Sequence, residues 1–501
     1  MKILFVASEF SDFAKAGGLA DVSATLPRAL RKLGLDVRVL LPGYQKVLDH
    51  LDTLGLVGTL PHRAGVGPCL LAEARTRDGL SLYVLLDPSL YQREGNAYLA
   101  PSGQDWPDND LRFARLALAA AQIAKGSAGL SWRPDLVHVN DWPGGLAPAY
   151  MRWEKAEIPS LMTVHNLAYQ GVFEAGRRET LGIPEEDFSI DGVEFYDKIS
   201  FLKAGLFYAD AVTTVSPTYA REITTLEQGA GLHGLLAGRA AQGTLRGILN
   251  GLGEGWEPNE DPCLPKPFTI DEPAGKAAAK DLIRMALCLA PSEGPLFGIV
   301  SRLVHQKGMD LVAEIAPEIV ERGGQIAILG VGDPETEENL RGVMRRHRDN
   351  MAMLNGFNEP MARRIMAASD FHLMPSRFEP CGLSQLHAQR YGALPVVHAT
   401  GGLIDTIEDG ETGFLFEGFR ADSFLGAVAR AFEAFADPAT LGRMRRAAMS
   451  RNFDWTTSAA EYAKLYASLT GKPFLRLASE PALRSGTGPG ELRTASFREM
   501  P

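Results

Sequence analysis

The stretch Phe371-His372-Leu373-Met374-Pro375-Ser376-Arg377-Phe378-Glu379-Pro380-Cys381-Gly382-Leu383 decides the fold. Its apolar start has the length of a short buried strand, and Ser384 to Gly392 follows with helical spacing and a glycine stop. Strand, stiff turn, helix is the building unit of an open α/β sheet. Ligands bind to such sheets where the carboxyl ends of strands meet the amino ends of helices. Glu379 falls in that turn, and Pro380 biases it away from helical backbone, so a carboxylate stands on a stiff support. Taken alone, the turn favours a plainer reading in which Glu379 or Ser384 caps free N–H groups of the helix. The rest of the chain shifts the weight.

The same alternation runs through the second half. Strands are expected at 296–300, 325–329, 351–354 and 394–397, and helices at 308–321, 335–348 and 360–367. At the end of the first of these strands stands Ser301-Arg302-Leu303-Val304-His305-Gln306-Lys307-Gly308. Arg302 offers a planar fork for two phosphate oxygens and Lys307 a mobile point charge, both at the amino end of the next helix. Thr400-Gly401-Gly402-Leu403 follows another strand and places free N–H groups at a helix start. Phe357 could stack on a base or pack in a core. Helices are expected at 422–435 and 455–469, and a disordered Ser-, Gly-, Pro- and Arg-rich tail after Gly471.

In the first half, Ile3 to Ala7 is a continuous apolar run of parallel-sheet type, followed by Lys15-Ala16-Gly17-Gly18 and a helix from Leu19 to Leu33. Adjacent glycines let backbone N–H groups approach an anion, the helix start adds partial positive charge, and Lys15 adds a whole one. Two further strands, 136–139 and 161–164, end in Asn140-Asp141-Trp142 and His165-Asn166. Polar groups able to bond a sugar thus recur on the edge where the Gly17-Gly18 loop lies. The stretch from Gly229 to Leu235 reads as flexible, and 245–251 as the last strand and turn of this half. From Glu254 to Lys276, prolines and acids replace periodicity and mark a hinge.

At 501 residues the chain exceeds one core. Charged residues at 22% and hydrophobic ones at 45% describe an ordinary globular protein. A net charge of -10 with no long basic stripe argues against a nucleic-acid partner, and no apolar run approaches a membrane span. Cys69, Cys263, Cys288 and Cys381 are too scattered for a metal site and fit a reducing cytoplasm. The expected division is a Rossmann-like domain over 1–253, a hinge over 254–275, a second such domain over 276–454, a crossover helix over 455–470 and the tail over 471–501.

Several blocks together carry a family resemblance: Lys15 to Val22, Thr163-Val164-His165-Asn166-Leu167-Ala168-Tyr169-Gln170-Gly171, Ser200 to Gly205, Val215 to Ala220, Ser301 to Gly308, Ser376 to Leu383 and Thr400 to Leu403. In this order, from Met1 to about Leu469, the chain resembles the bacterial glycogen synthases and starch synthases, retaining GT-B glycosyltransferases. The resemblance implies an α/β protein of two doubly wound Rossmann-like domains facing across a deep cleft, with a C-terminal helix crossing back to the first. It implies transfer of glucose from ADP-glucose to the non-reducing end of an α-1,4-glucan, with retention and with no metal or cofactor. By the same resemblance, Glu379, His165, Lys307 and Arg302 form the catalytic set. Lys15, Gly17, Gly18 and Asp21, with Asp141, Asn166 and Asn250, would bind substrate. So would Phe357, the Cys381-Gly382-Leu383 turn, and Thr400, Gly401 and Gly402, the last three as a cap on the phosphate. The chain departs from the family pattern at Ala16, usually Thr, at Asn140, usually His, and at Leu252-Gly253. These departures keep open a changed donor such as UDP-glucose, a changed acceptor, or a protein that binds nucleotide or glucan without turnover.

Overall fold

The computed structural model describes residues 1–356 and 358–474. Phe357 and nearly all of the expected tail lie outside the described residues. Two sheets organise the chain. The first has nine strands, in edge-to-edge order Leu245–Gly247, Ala211–Thr214, Ser160–Val164, Leu136–Asn140, Lys2–Val6, Asp36–Pro42, Ser81–Leu86, Cys69–Arg75 and Gly55–Leu60. Pairing is parallel as far as Ser81–Leu86, with Phe5 opposite Val39 on one side and His138 on the other. The last two strands run antiparallel. Ile3, Leu4, Phe5 and Val6 are fully buried, as a strand covered on both faces requires.

The second sheet has six parallel strands in the order Met351–Asn355, Gln325–Gly330, Leu296–Val300, Phe371–Met374, Leu394–His398 and Phe414–Phe416. Both sheets are doubly wound: chain order reverses beside Lys2–Val6 in the first and between Leu296–Val300 and Phe371–Met374 in the second. Crevices open at the carboxyl ends of strands at such reversals.

Helix Trp455–Thr470 belongs by sequence to the end of the chain and by packing to the first sheet. Trp455, Ala459, Tyr462, Ala463 and Tyr466 recur on one face and join the core of the first half. Tyr466 Oη meets His138 Nδ1 at 2.7 Å inside the sheet, and Asp454 caps the helix by accepting from Thr456 N at 2.7 Å. A second bridge joins helices Pro217–Glu222 and Gly401–Thr406: Thr218 donates through N and Oγ1 to the Asp405 carboxylate at 2.8 and 2.7 Å. The chain between the halves is pinned rather than loose. The Trp256 ring lies 3.8 Å from His387, and the Arg363 guanidinium 4.1 Å from Trp256.

Three elements depart from expectation. The hairpin Gly55–Leu60 and Cys69–Arg75 closes the antiparallel end of the sheet, and its half-exposed edge strand Gly55–Leu60 is broken by glycine and carries no continuous apolar run. The stretch read as flexible from Gly229 runs into helix His233–Ala241, where Leu236 inserts into the core and gives the segment an anchor. Helix Pro438–Met449, capped by Asp437, was not anticipated. Among the described residues, no helix is long and apolar enough to cross a membrane.

Candidate active site

A cavity of 670 Å³ lies between the halves, at the carboxyl ends of strands from both sheets. From the first half it is lined by Lys15, Gly17, Gly18, Asp21, Asp141, His165, Asn166 and Asn250. From the second it is lined by Arg302, Lys307, Glu379, Cys381, Gly382 and Leu383. Fourteen of the expected site residues, far apart in sequence, therefore face one space. Lys15 and Arg302, from different halves of the chain, share it.

Glu379 is almost fully buried. Its Oε2 accepts from Lys307 Nζ at 2.5 Å and from Ser376 Oγ at 2.9 Å. The turn carrying it is braced from behind. Gly402 N donates to Glu379 O at 3.0 Å. Gly401 sits at φ +47°, and a Cβ there would lie 2.0 Å from the same carbonyl. Ser216 Oγ from the first half donates to Pro380 O at 2.6 Å. Arg302 reaches across the cleft to Tyr169 Oη at 3.0 Å.

On the opposite wall, strand Leu136–Asn140 ends in Asp141, a non-glycine residue at φ +52°. Such strain is retained where the surroundings enforce it. Asp141 Oδ1 accepts from His165 N at 2.7 Å, and burial pushes its carboxyl up to about 7. His165 Nε2 lies 2.9 Å from Asn140 Oδ1, and burial pushes the imidazole down to about 3, so it is neutral at physiological pH. Lys15 pairs with Asp21 at 2.8 Å, while burial raises the Asp21 carboxyl.

Two stretches of backbone expected to bind an anion have N–H groups engaged within the protein. Thr400, Gly401 and Gly402 do not line the cavity. Gly401 N and Thr400 Oγ1 donate to Glu222 Oε1 at 2.9 and 3.2 Å, and Gly402 N is taken by Glu379 O. This helix start therefore joins the halves and buttresses the Glu379 turn rather than facing a phosphate. In the glycine loop, the N–H groups of Ala16 and Gly17 already donate to Glu9 Oε2 at 2.6 and 2.8 Å. Gly18 opens the helix Gly18–Lys32. Phe357 lies outside the described residues.

Glu9, Tyr98, Trp142, Tyr169, Gln306 and Ser384 line the cavity without having been singled out. Glu9 had a signal: it is an acid three residues beyond a buried strand, on the loop that leaves the carboxyl end of the sheet. Tyr98 had none, since it enters from the Gly- and Pro-punctuated region.

Comparison with known proteins identifies the family. The starch synthase catalytic domain family matches residues 2–238, and the glycosyl transferases group 1 family matches 294–434. A glycogen synthase 1 of Bradyrhizobium diazoefficiens is 54% identical over 458 residues, covering 91% of this chain and 99% of the relative. A glycogen synthase of Pseudomonas putida is 52% identical over 468 residues, 93% of this chain and 90% of the relative. Among solved structures, the catalytic domain of starch synthase IV from Arabidopsis thaliana, bound to ADP and acarbose, is similar with TM-score 0.84 and 30% identity, covering 94% of this chain and 99% of that one. A sucrose-phosphate synthase from Thermosynechococcus elongatus, 18% identical with TM-score 0.58, shares the fold. The chain belongs to the glycogen synthase and starch synthase family and is a glucosyltransferase of GT-B architecture.

Proposed function

We propose that the cavity takes ADP-glucose and the non-reducing end of an α-1,4-glucan in the cytoplasm. In this reading residues 276–454 hold the nucleotide sugar, 1–253 present the acceptor and 254–275 serve as the hinge. The observation that carries it is the meeting, at the strand-order reversals of both sheets, of Lys15 from one half with Arg302, Lys307 and Glu379 from the other. Departure of a nucleoside diphosphate builds negative charge on phosphate and positive charge at the anomeric carbon. Arg302 and Lys307 face the first charge, and fixed cations stabilise that transition state more than the ground state. Glu379, held by Ser376 and Lys307, orients glucose hydroxyls and supplies the field for the second. Neutral His165 and Asn166 hold the transferred sugar from the opposite wall.

The starch synthase IV structure bound to ADP supports the choice of nucleotide. The test is release of ADP from ADP-glucose with glycogen as acceptor, run beside UDP-glucose. Lys307→Ala and Glu379→Ala should each lose most of the rate. Full activity in both variants would overturn the assignment. Preference for UDP-glucose would replace the donor, and tight ADP-glucose binding without ADP release would replace the enzyme with a binding protein.

A further inference from the structure

We infer that Asn140 is a positioning residue: its carboxamide locks His165 in the Nε2–H tautomer, so the cavity is offered an Nδ1 lone pair that accepts a hydroxyl proton and cannot donate one. The part of this concerning a sugar hydroxyl rests on the reading of the cavity as a nucleotide-sugar site.

Asn140 is fully buried at the end of its strand, opposite Thr163 in the neighbouring strand. Its Nδ2 lies 3.0 Å from Val6 O in the strand on the other side. A backbone carbonyl can only accept, so the amino end of the side chain must point there. The carboxamide oxygen is then committed to His165 Nε2, 2.9 Å away. An amide oxygen can only accept as well, so Nε2 must carry the proton. A neutral imidazole has one N–H, and burial keeps His165 neutral. Nδ1 is therefore a bare acceptor. Among the described residues no hydrogen bond reaches Nδ1, and the residue lines the cavity. The backbone is fixed too, through His165 N to Asp141.

The departure from histidine at 140 has a physical consequence. An imidazole there could imitate the carboxamide in only one of its two tautomers, and on protonation it would become a donor on both sides and repel the N–H of His165. Asparagine does not titrate. The titratable groups around the pair are His138, Asp141, Glu9 and Tyr219. His138 is itself pushed down to about 3 by burial and is bonded to Tyr466 and Thr163. Glu9 receives the Ala16 and Gly17 N–H groups. Tyr219, pushed up by burial, accepts from Leu167 N at 3.1 Å. Asp141, pushed up to about 7 by burial, bonds the His165 main chain rather than the ring.

The test is long-range proton–nitrogen NMR on the full chain labelled with 15N-histidine, with the His165 signals assigned by their loss in His165→Gln. Between about pH 5.5 and 8, His165 should keep Nε2 protonated and Nδ1 bare. A proton on Nδ1, or an averaged pair of signals, overturns the inference. Asn140→Leu should release the tautomer and lower kcat/KM for the donor by about tenfold, leaving KM for glycogen unchanged. An unaltered imidazole spectrum with unaltered kcat/KM overturns it. Asn140→His, which retains a polar partner should Asn140→Leu fail to fold, should keep donor kcat/KM within about threefold of wild type, because one neutral imidazole tautomer reproduces the carboxamide's donor and acceptor. A loss in Asn140→His as large as in Asn140→Leu counts against the lock. The tautomer is read without substrate. The expected imidazole spectrum in a wild type that never turns over ADP-glucose would sink the functional reading and support the lock, whereas turnover with the other tautomer would overturn the lock alone.

Discussion

Glu379→Gln should tighten ADP binding while it abolishes turnover. Lys307 Nζ is spent on Glu379 Oε2 at 2.5 Å, and the two side chains are only 14% and 7% exposed. If Lys307 also serves the donor diphosphate, carboxylate and phosphate compete for one ammonium. A hydrogen bond to a charged group contributes about 1.5–3 kcal/mol, and about 1.4 kcal/mol is a factor of ten in Kd. Releasing Lys307 should therefore tighten ADP by roughly 10- to 100-fold. Loss of like-charge repulsion between Glu379 and the phosphates acts in the same direction. Glutamine keeps the volume and can still accept from Ser376 Oγ, so the change isolates charge. Without ligand, the variant leaves an ammonium nearly buried and unpaired, and it should be less stable by about 3 kcal/mol. ADP should then raise its melting temperature more than that of wild type. ADP is the right probe because it lacks the glucose that Glu379 would orient. Calorimetric titration of wild type, Glu379→Gln, Lys307→Met and the double variant completes a cycle in which the gain must vanish without Lys307. Unchanged or weakened ADP affinity in Glu379→Gln, or a gain surviving in the Lys307→Met background, would refute the competition.

Asp141 has its carboxyl raised by burial from the ordinary carboxylate range to about 7. The folded state thus binds the extra proton between about pH 4 and 7, and Asp141 weakens the fold as pH rises through that window by at most about 1.4 kcal/mol per pH unit. Denaturant melts of Asp141→Asn should lose this part of the slope, and parallel wild-type and variant curves would reject it. Gly401→Ala places a side chain at φ +47° with its Cβ 2.0 Å from Glu379 O, and should cost roughly 2–5 kcal/mol and reduce kcat by shifting the Glu379 turn. A wild-type urea midpoint and kcat would show that the brace is dispensable. Closure about the segment between the halves should appear as a smaller radius of gyration when ADP binds. Identical scattering profiles with and without ADP would exclude it.

How far the site could be read beforehand depended on which physical signal each residue carried. Buried parallel strands announce themselves as apolar runs, so Lys2–Val6, Leu296–Val300 and Phe371–Met374 were legible. Residues that follow such strands inherit their position from the sheet, which is why His165 falls at the carboxyl edge of the first sheet and Arg302 and Glu379 at that of the second. The edge strand Gly55–Leu60 lacks that signal, and Tyr98 reaches the cavity through a loop whose course the strand pattern leaves open. The glycine turns are the more instructive feature. Gly17-Gly18 and Thr400-Gly401-Gly402 look alike locally: glycines between a strand and a helix, with N–H groups to spare. What separates them is which acceptor the fold brings up. Glu9 takes the N–H groups of Ala16 and Gly17 and so fixes a loop that still borders the cavity, whereas Glu222 and the Glu379 carbonyl consume those of Gly401 and Gly402 behind it. Both acceptors are distant in sequence, and a carbonyl has no side-chain signature at all. A glycine turn states that something must come close, and only the tertiary partner tells whether that is a ligand or the back of the Glu379 turn.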